Sequence, residues 1–271
     1  MYKRLAYGTR RILPRPLRRL AYRAGLFLGE EFKPVSSFGG ERYPSAWRTL
    51  GDLQRRGFNP KLAVDVGAYR GEWTRMFKRI YPNCRVLMVE AQEHMAPQLG
   101  AVSASLSGVD CRIALLGRAD GHTVEFFEML SGSSVFPENS PAPRRKLIKK
   151  TLSLDTLLED SAPGLLKLDV QGYELEVLRG ASRALCHCEV VLLETSLIPA
   201  NQGAPLAAEV ISFMDTSGFR LLDFCSQIRL QDGALWQTDL LFISNSSAFL
   251  PASELGLHLI GQARRRPTGG Q

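Results

Sequence analysis

Two short runs in this 271-residue chain hold the side chains best suited to chemistry. The first is Asp65-Val-Gly67-Ala68-Tyr69-Arg70-Gly71, with Glu90 following 19 residues after Gly71. The second is Lys167-Leu-Asp169, with Glu174 close behind it and Glu194 farther along. In the first run an acid and paired glycines directly follow the apolar stretch 62–66. A carboxylate there would repel a pyrophosphate at the start of the next helix, so the run does not suit a dinucleotide. It suits a ligand with a cationic end.

S-adenosylmethionine has such an end in its α-ammonium, which Asp65 can hold directly or through a water. Gly67 lets the backbone pass close to the ligand, Ala68 belongs to the same turn, and Gly71 allows a tight start to the helix. Glu90 closes the next strand, where an acid can accept hydrogen bonds from ribose hydroxyls. Taken singly, each glycine reads as a turn and each acid as a cap or surface charge. The combination favours the cofactor.

Lys167 and Asp169 stand two apart on a predicted strand and so share one face. Asp169 lies at the carboxyl end of that strand, where open α/β sheets place their sites. Glu174 falls in the first turn of the next helix, and Glu194 ends the adjacent strand. A hydroxyl is a poor nucleophile, so methylating one needs a base or a metal to remove or polarise its proton. Asp169 is the expected base, with Glu194 and Lys167 in support. The plainer alternative is an ion pair between Lys167 and one of these acids, tying the strand ends together. A divalent metal is compatible with the acids but not indicated by them. Cys186-His187-Cys188 lacks the second ligand pair that zinc requires.

These groups need a scaffold that brings strand ends together. Apolar runs predict strands over 62–66, 85–90, 109–115, 165–170, 189–194, 219–224 and 240–244. Helical patterns fall at 47–56, 72–80, 93–103, 173–185 and 205–217, the first stopped by Gly57 and the second by Pro82. Strands separated by helices imply an α/β fold with a mainly parallel sheet covered on both faces. Residues 123–129 read as an extra strand or hairpin arm. The Ser/Pro-rich stretch 131–145 reads as a long functional loop, a candidate lid. Residues 151–158 read as an extended piece leading into a helical turn.

The net charge of +7 is unevenly spread. Of 34 basic residues, eight lie in 1–29 with no acid among them, leaving 26 against 27 acidic residues in the remainder. A near-neutral body argues against nucleic acid as a partner. Within the arm, Leu17, Leu20, Ala21, Ala24 and Leu28 share one helical face, away from Arg18, Arg19 and Arg23. Such a basic helical arm either packs on the body or makes peripheral contact with an anionic membrane surface. No run of 18 apolar residues predicts a membrane-spanning helix, and the five scattered cysteines suit free, mostly buried thiols. The expected division is an arm and linker at 1–44, a catalytic domain at 45–250 and a tail at 251–271. The expected location is the cytoplasm, in contact with the inner face of a membrane if the arm docks there.

The runs VDVGAYRGEW, VEAQ, TLSLDTLL, LLKLDVQGYELEVLRGA and VVLLETS resemble the FkbM family of S-adenosylmethionine-dependent methyltransferases. The resemblance extends over roughly residues 60–245. It implies a class I methyltransferase (Rossmann-like) fold and O-methylation of a hydroxyl on a saccharide or secondary metabolite. By position, Asp65, Gly67 and Gly71 match the family's cofactor turn, and Glu90 its ribose acid. Lys167, Asp169, Gly172 and Glu174 match its second signature. The chain departs from the family at Tyr69, where Asn is common, and at Ala91, where Pro is common. Two other readings fit the same fold: a non-catalytic cofactor-binding or scaffold protein, and an RNA methyltransferase with the arm as its clamp.

Overall fold

A computed structural model describes residues 45–139 and 142–250. The arm at 1–44 and the tail at 251–271 lie outside the described residues, and the basic helix and membrane contact expected of the arm lie there with it.

The first half of the fold follows the apolar pattern closely. Helix α1 (Ala46–Arg55) precedes strand β1 (Leu62–Val66), helix α2 (Glu72–Ile80) and strand β2 (Arg85–Glu90). A single 3-10 turn at Glu93–Met95 leads into α3 (Ala96–Ser105), with Pro97 in the first turn, where its missing N–H costs nothing. Next come β3 (Val109–Ile113), β4 (Leu115–Leu116), β5 (Thr123–Glu128) and β6 (Arg145–Leu152). The second half contains α4 (Leu154–Leu158), β7 (Leu165–Leu168), α5 (Glu174–Arg179), α6 (Ser182–His187) and β8 (Val190–Ser196). It ends with α7 (Ala207–Thr216), β9 (Phe219–Phe224), β10 (Ile228–Arg229) and β11 (Leu235–Ser244).

The main sheet runs in the order β10-β11-β8-β7-β1-β2-β3, with β9 also paired to β11. Strands β3, β2, β1, β7 and β8 are parallel, while β11 runs antiparallel to β8. Every residue of β1 is buried, as a central parallel strand requires. Its alternation divides the core. Leu62, Val64 and Val66 join Val177, Leu178, Val210 and Met214 on one face. Ala63 joins Leu50, Phe77, Leu99 and Val102 on the other. The result is the α/β sheet with helices on both faces that the sequence predicts. Among the described residues no helix is long and apolar enough to cross a membrane.

Several boundaries differ from expectation. Residues 145–152, assigned only at their ends, 145 to the loop and 151–152 to an extended piece, form the central strand of a small sheet ordered β4-β6-β5. The helix expected over 173–185 breaks into α5 and α6 around Gly180. A Cβ at Gly180 would stand 2.1 Å from the Gly117 carbonyl oxygen, so the break coincides with a close chain crossing that excludes any side chain. The predicted strand 109–115 divides into β3 and β4, and β7 stops at Leu168, two residues short of expectation. All five cysteines are free thiols, but Cys186 is exposed on α6 rather than buried.

Candidate active site

The turn after β1 is stabilised by its own backbone. The Gly67 and Ala68 amides both donate to the Val89 carbonyl, at 2.9 and 3.1 Å. The Tyr69 amide donates to Glu90 Oε2 at 2.7 Å, and the Gly71 amide to the Ala68 carbonyl at 2.7 Å. These amides are therefore not free to cradle a phosphate. Tyr69 adopts a left-handed conformation at φ 48°, where Asn fits with less strain than a bulky side chain. This gives a physical meaning to the departure noted at that position.

Gly67, at φ 73°, is required by the protein itself. A Cβ there would lie 1.9 Å from the Asp169 carbonyl oxygen, so the close approach to the β7 end by itself requires glycine at this wall of the cavity. Gly71 stands at φ 75° at the start of α2, packed towards Met88 and Val102. It supports the turn from behind and does not line the cavity.

Asp65 is placed differently from expectation. Its side chain is fully buried, and the β1–β7 register sets it directly opposite Lys167. Lys167 Nζ lies 3.0 Å from Asp65 Oδ1, while Thr74 Oγ1 donates to Oδ2 at 2.7 Å. A direct hold by Asp65 on a ligand ammonium is not what this packing provides, because the lysine already neutralises the acid. Lys167 Nζ also donates to the Gly67 and Val66 carbonyls at 3.2 and 3.5 Å, and stands 3.9 Å from Asp169 Oδ2. Burial alone would lower the lysine pKa. The charges of Asp65 and Asp169 outweigh burial and raise it, so Lys167 acts as a fixed cation and not as a base.

The sheet converges these elements on one cavity of about 220 Å³. Gly67, Ala68, Tyr69, Glu90, Lys167 and Asp169 line it; Asp65, Gly71 and Glu194 do not. Glu90 accepts from the backbone amides of Tyr69 and Gln92, the latter at 2.9 Å. Burial pushes its carboxyl pKa up, against the pull of those hydrogen bonds and of Lys167. The Gln92 side-chain amide also donates to Oε1 at 3.3 Å, and a carboxylate has about four acceptor sites, so one hydroxyl donor can still be accommodated.

Asp169 is the most accessible acid at the β7 end, its side chain 35 % exposed. Gln171, which sequence reasoning did not single out, organises its surroundings. The Gln171 side-chain amide donates to Asp169 Oδ1 at 2.6 Å and to Glu194 Oε1 at 2.9 Å. Its backbone carbonyl accepts from Ser134 Oγ at 2.8 Å and Asn201 Nδ2 at 2.7 Å. Glu194 also accepts from Gln237 at 2.9 Å. The expected gathering of Lys167, Asp169 and Glu194 is therefore present, but Glu194 reaches Asp169 through an amide. The one available signal was Gln171-Gly172 as a tight turn at a strand end. Ser134 and Asn201 lie in loops whose approach no local pattern announces.

Glu174 points back at the turn, where one carboxylate oxygen accepts from the Val170 and Gly172 amides at 3.0 and 3.1 Å. Burial pushes its pKa up to about 7. Among the described residues no group of three or more His, Cys, Asp or Glu side chains is arranged to hold a metal ion.

The residues present fit S-adenosylmethionine in kind. The wall offers a carboxylate for hydroxyls at Glu90, more acids (Glu72, Glu90 and Asp169) than cations (Lys167), as a cationic ligand requires, and residues with buried polar atoms that the protein leaves unpaired.

Residues 65–221 match the family described as the methyltransferase FkbM domain. No curated protein matches the chain. Among solved structures, a candidate O-methyltransferase from Klebsiella pneumoniae shares 15% identity with a TM-score of 0.46, covering 89% of this chain and 95% of that one. The Burkholderia thailandensis 1,6-didemethyltoxoflavin-N1-methyltransferase, solved with S-adenosylhomocysteine, shares 13% identity with a TM-score of 0.43, covering 86% of this chain and 91% of that one. These likenesses are too distant to bear on a substrate.

Proposed function

The chain belongs to the FkbM family of S-adenosylmethionine-dependent methyltransferases, and we propose that it methylates a hydroxyl of a saccharide or secondary metabolite, with Asp169 as the base. The observation that carries this reading is the shared cavity. The cofactor turn at Gly67–Tyr69 and the accessible carboxylate of Asp169 line one space. S-adenosylmethionine, when bound, supplies an electrophilic methyl group on a sulfonium. The protein's own tasks are then to align the acceptor hydroxyl and to take its proton.

Asp169 Oδ1 is held by Gln171, which leaves Oδ2 to accept the proton of the acceptor hydroxyl. The Lys167 ammonium, 3.9 Å from Oδ2, steadies the negative charge without competing for the proton. Glu194 fixes the Gln171 amide from the other side. Glu90 is assigned to the ribose hydroxyls, and the backbone at Gly67 and Ala68 to the wall against the cofactor.

The test is Asp169→Asn. Label from a radiolabelled methyl donor should enter neutral polyols or glycans of a host extract with the native protein and fall to background with the variant. S-adenosylhomocysteine affinity, measured by titration calorimetry, should be nearly unchanged. Undiminished methyl transfer by Asp169→Asn would sink the assignment of the base.

A further inference from the structure

Among the described residues, buried side-chain polar atoms without a hydrogen-bond partner occur at Asp65 Oδ1, Tyr69 Oη, Trp73 Nε1 and Gln92 Oε1. Asp65 Oδ1 has the Lys167 ammonium beside it. The other three belong to residues lining the cavity. A buried donor left unpaired costs about 1–3 kcal/mol, and folded proteins keep few of them. Here two such donors and one acceptor belong to residues that line one cavity, and a ligand in it is the candidate partner.

Their polarity indicates which part of a ligand. The Trp73 indole N–H can only donate, and a phenol can donate as well. Burial raises the Tyr69 pKa, Arg70 pulls it back and the Glu72 and Glu90 carboxylates raise it again, so the net rise keeps the hydroxyl protonated. The Arg70 guanidinium lies 5.0 Å from the Tyr69 ring centre and offsets part of the negative charge of Glu72 and Glu90 on this side. Tyr69 and Trp73 stand four residues apart, in the turn and in the first turn of α2. The turn amides that might otherwise bind an anionic group are spent on Val89, Glu90 and Ala68. An anion docking here finds few turn amides and gains from side-chain donors beside the first amides of α2. Gln92 Oε1 has the opposite polarity and sits next to Glu90, where hydroxyls are expected.

We infer that Tyr69 Oη and Trp73 Nε1 are the donors that hold the α-carboxylate of the cofactor's amino-acid end. The assignment rests on the reading of the cofactor as S-adenosylmethionine. It gives Tyr69 a purpose that offsets the strain of its left-handed backbone.

The test compares two probes by titration calorimetry on the full chain: S-adenosylmethionine, and its decarboxylated form, which keeps the ammonium and loses only the carboxylate. Tyr69→Phe retains the ring beside Arg70. Trp73→Phe retains the stack on Phe77, now at 4.8 Å between ring centres. Each variant should weaken S-adenosylmethionine binding about tenfold and leave the decarboxylated form within about twofold. Equal losses for both probes, or no loss for either, would overturn the carboxylate assignment while leaving the cofactor reading intact. A native protein that binds neither probe would remove the cofactor reading and this inference with it.

Discussion

Lys167 and Asp65 face each other across adjacent parallel strands, Nζ to Oδ1 at 3.0 Å, with both side chains out of water. The pair also joins the two halves of the site, since Lys167 reaches the Gly67 carbonyl on one side and Asp169 on the other. Lys167→Met leaves the Asp65 carboxylate buried without a cation. The expected loss is about 3–5 kcal/mol in urea unfolding, and the double variant Asp65→Asn/Lys167→Met should recover much of it. A single variant as stable as the native protein would mean that the two charges are not coupled.

The same pair shows how far the sequence could be read. The boundaries of β1, α2 and β2 were legible because a continuous apolar run, a glycine turn and a proline stop all act locally. That Asp65 and Lys167 oppose each other depends on strand register between distant segments, which no local pattern carries. Strand β6 was obscured because residue type and face disagree in it: Ile148 is exposed and Lys149 partly buried, in a strand held between β4 and β5 with little core behind it. Gln171 was missed because it occupies a left-handed position, φ 56°, without being Gly or Asn, the residues that usually mark one.

Gly67 and Gly121 both sit at φ 73°, but only Gly67 is crowded. Alanine at Gly121 meets nothing within 4 Å and should cost only the backbone strain, about 1 kcal/mol. Alanine at Gly67 must displace the Asp169 carbonyl and with it the proposed base. Gly67→Ala should therefore destabilise by more than about 3 kcal/mol or fail to fold. Equal denaturation midpoints for the two variants would refute the close approach at the β7 end.

Glu174 predicts a pH signature. Its carboxyl is buried and its pKa is raised from 4.5 to about 7, with nearby Asp169 adding to the rise and the Val170 and Gly172 amides opposing it. Between those values the native state keeps a proton that the unfolded chain has released. The native protein therefore loses stability from this group as pH rises through that window. Glu174→Gln keeps an acceptor for the two amides but does not titrate. Its stability relative to the native protein should increase by up to about 3 kcal/mol between about pH 5 and about pH 8. Urea titrations across that range check this; a constant difference would place the Glu174 carboxyl pKa outside the window.

Gln171 offers the sharpest separation of stability from turnover. Glycine at this position relieves the left-handed backbone and removes the amide that holds Asp169 and Glu194. The two effects oppose each other in the folding balance, so Gln171→Gly should unfold within about 1 kcal/mol of the native protein. Asp169 loses its fixed direction, and kcat should fall about 10–100-fold with S-adenosylhomocysteine affinity nearly kept. Gln171→Glu keeps the length but places a third acid between two others, which cannot all ionise together at such range. The acid limb of its pH–rate profile should move to higher pH, whereas the glycine variant should lose rate across the whole profile. If Gln171→Glu has the native profile, the amide does not separate the two carboxylates during turnover, and Asp169 must be oriented by another group.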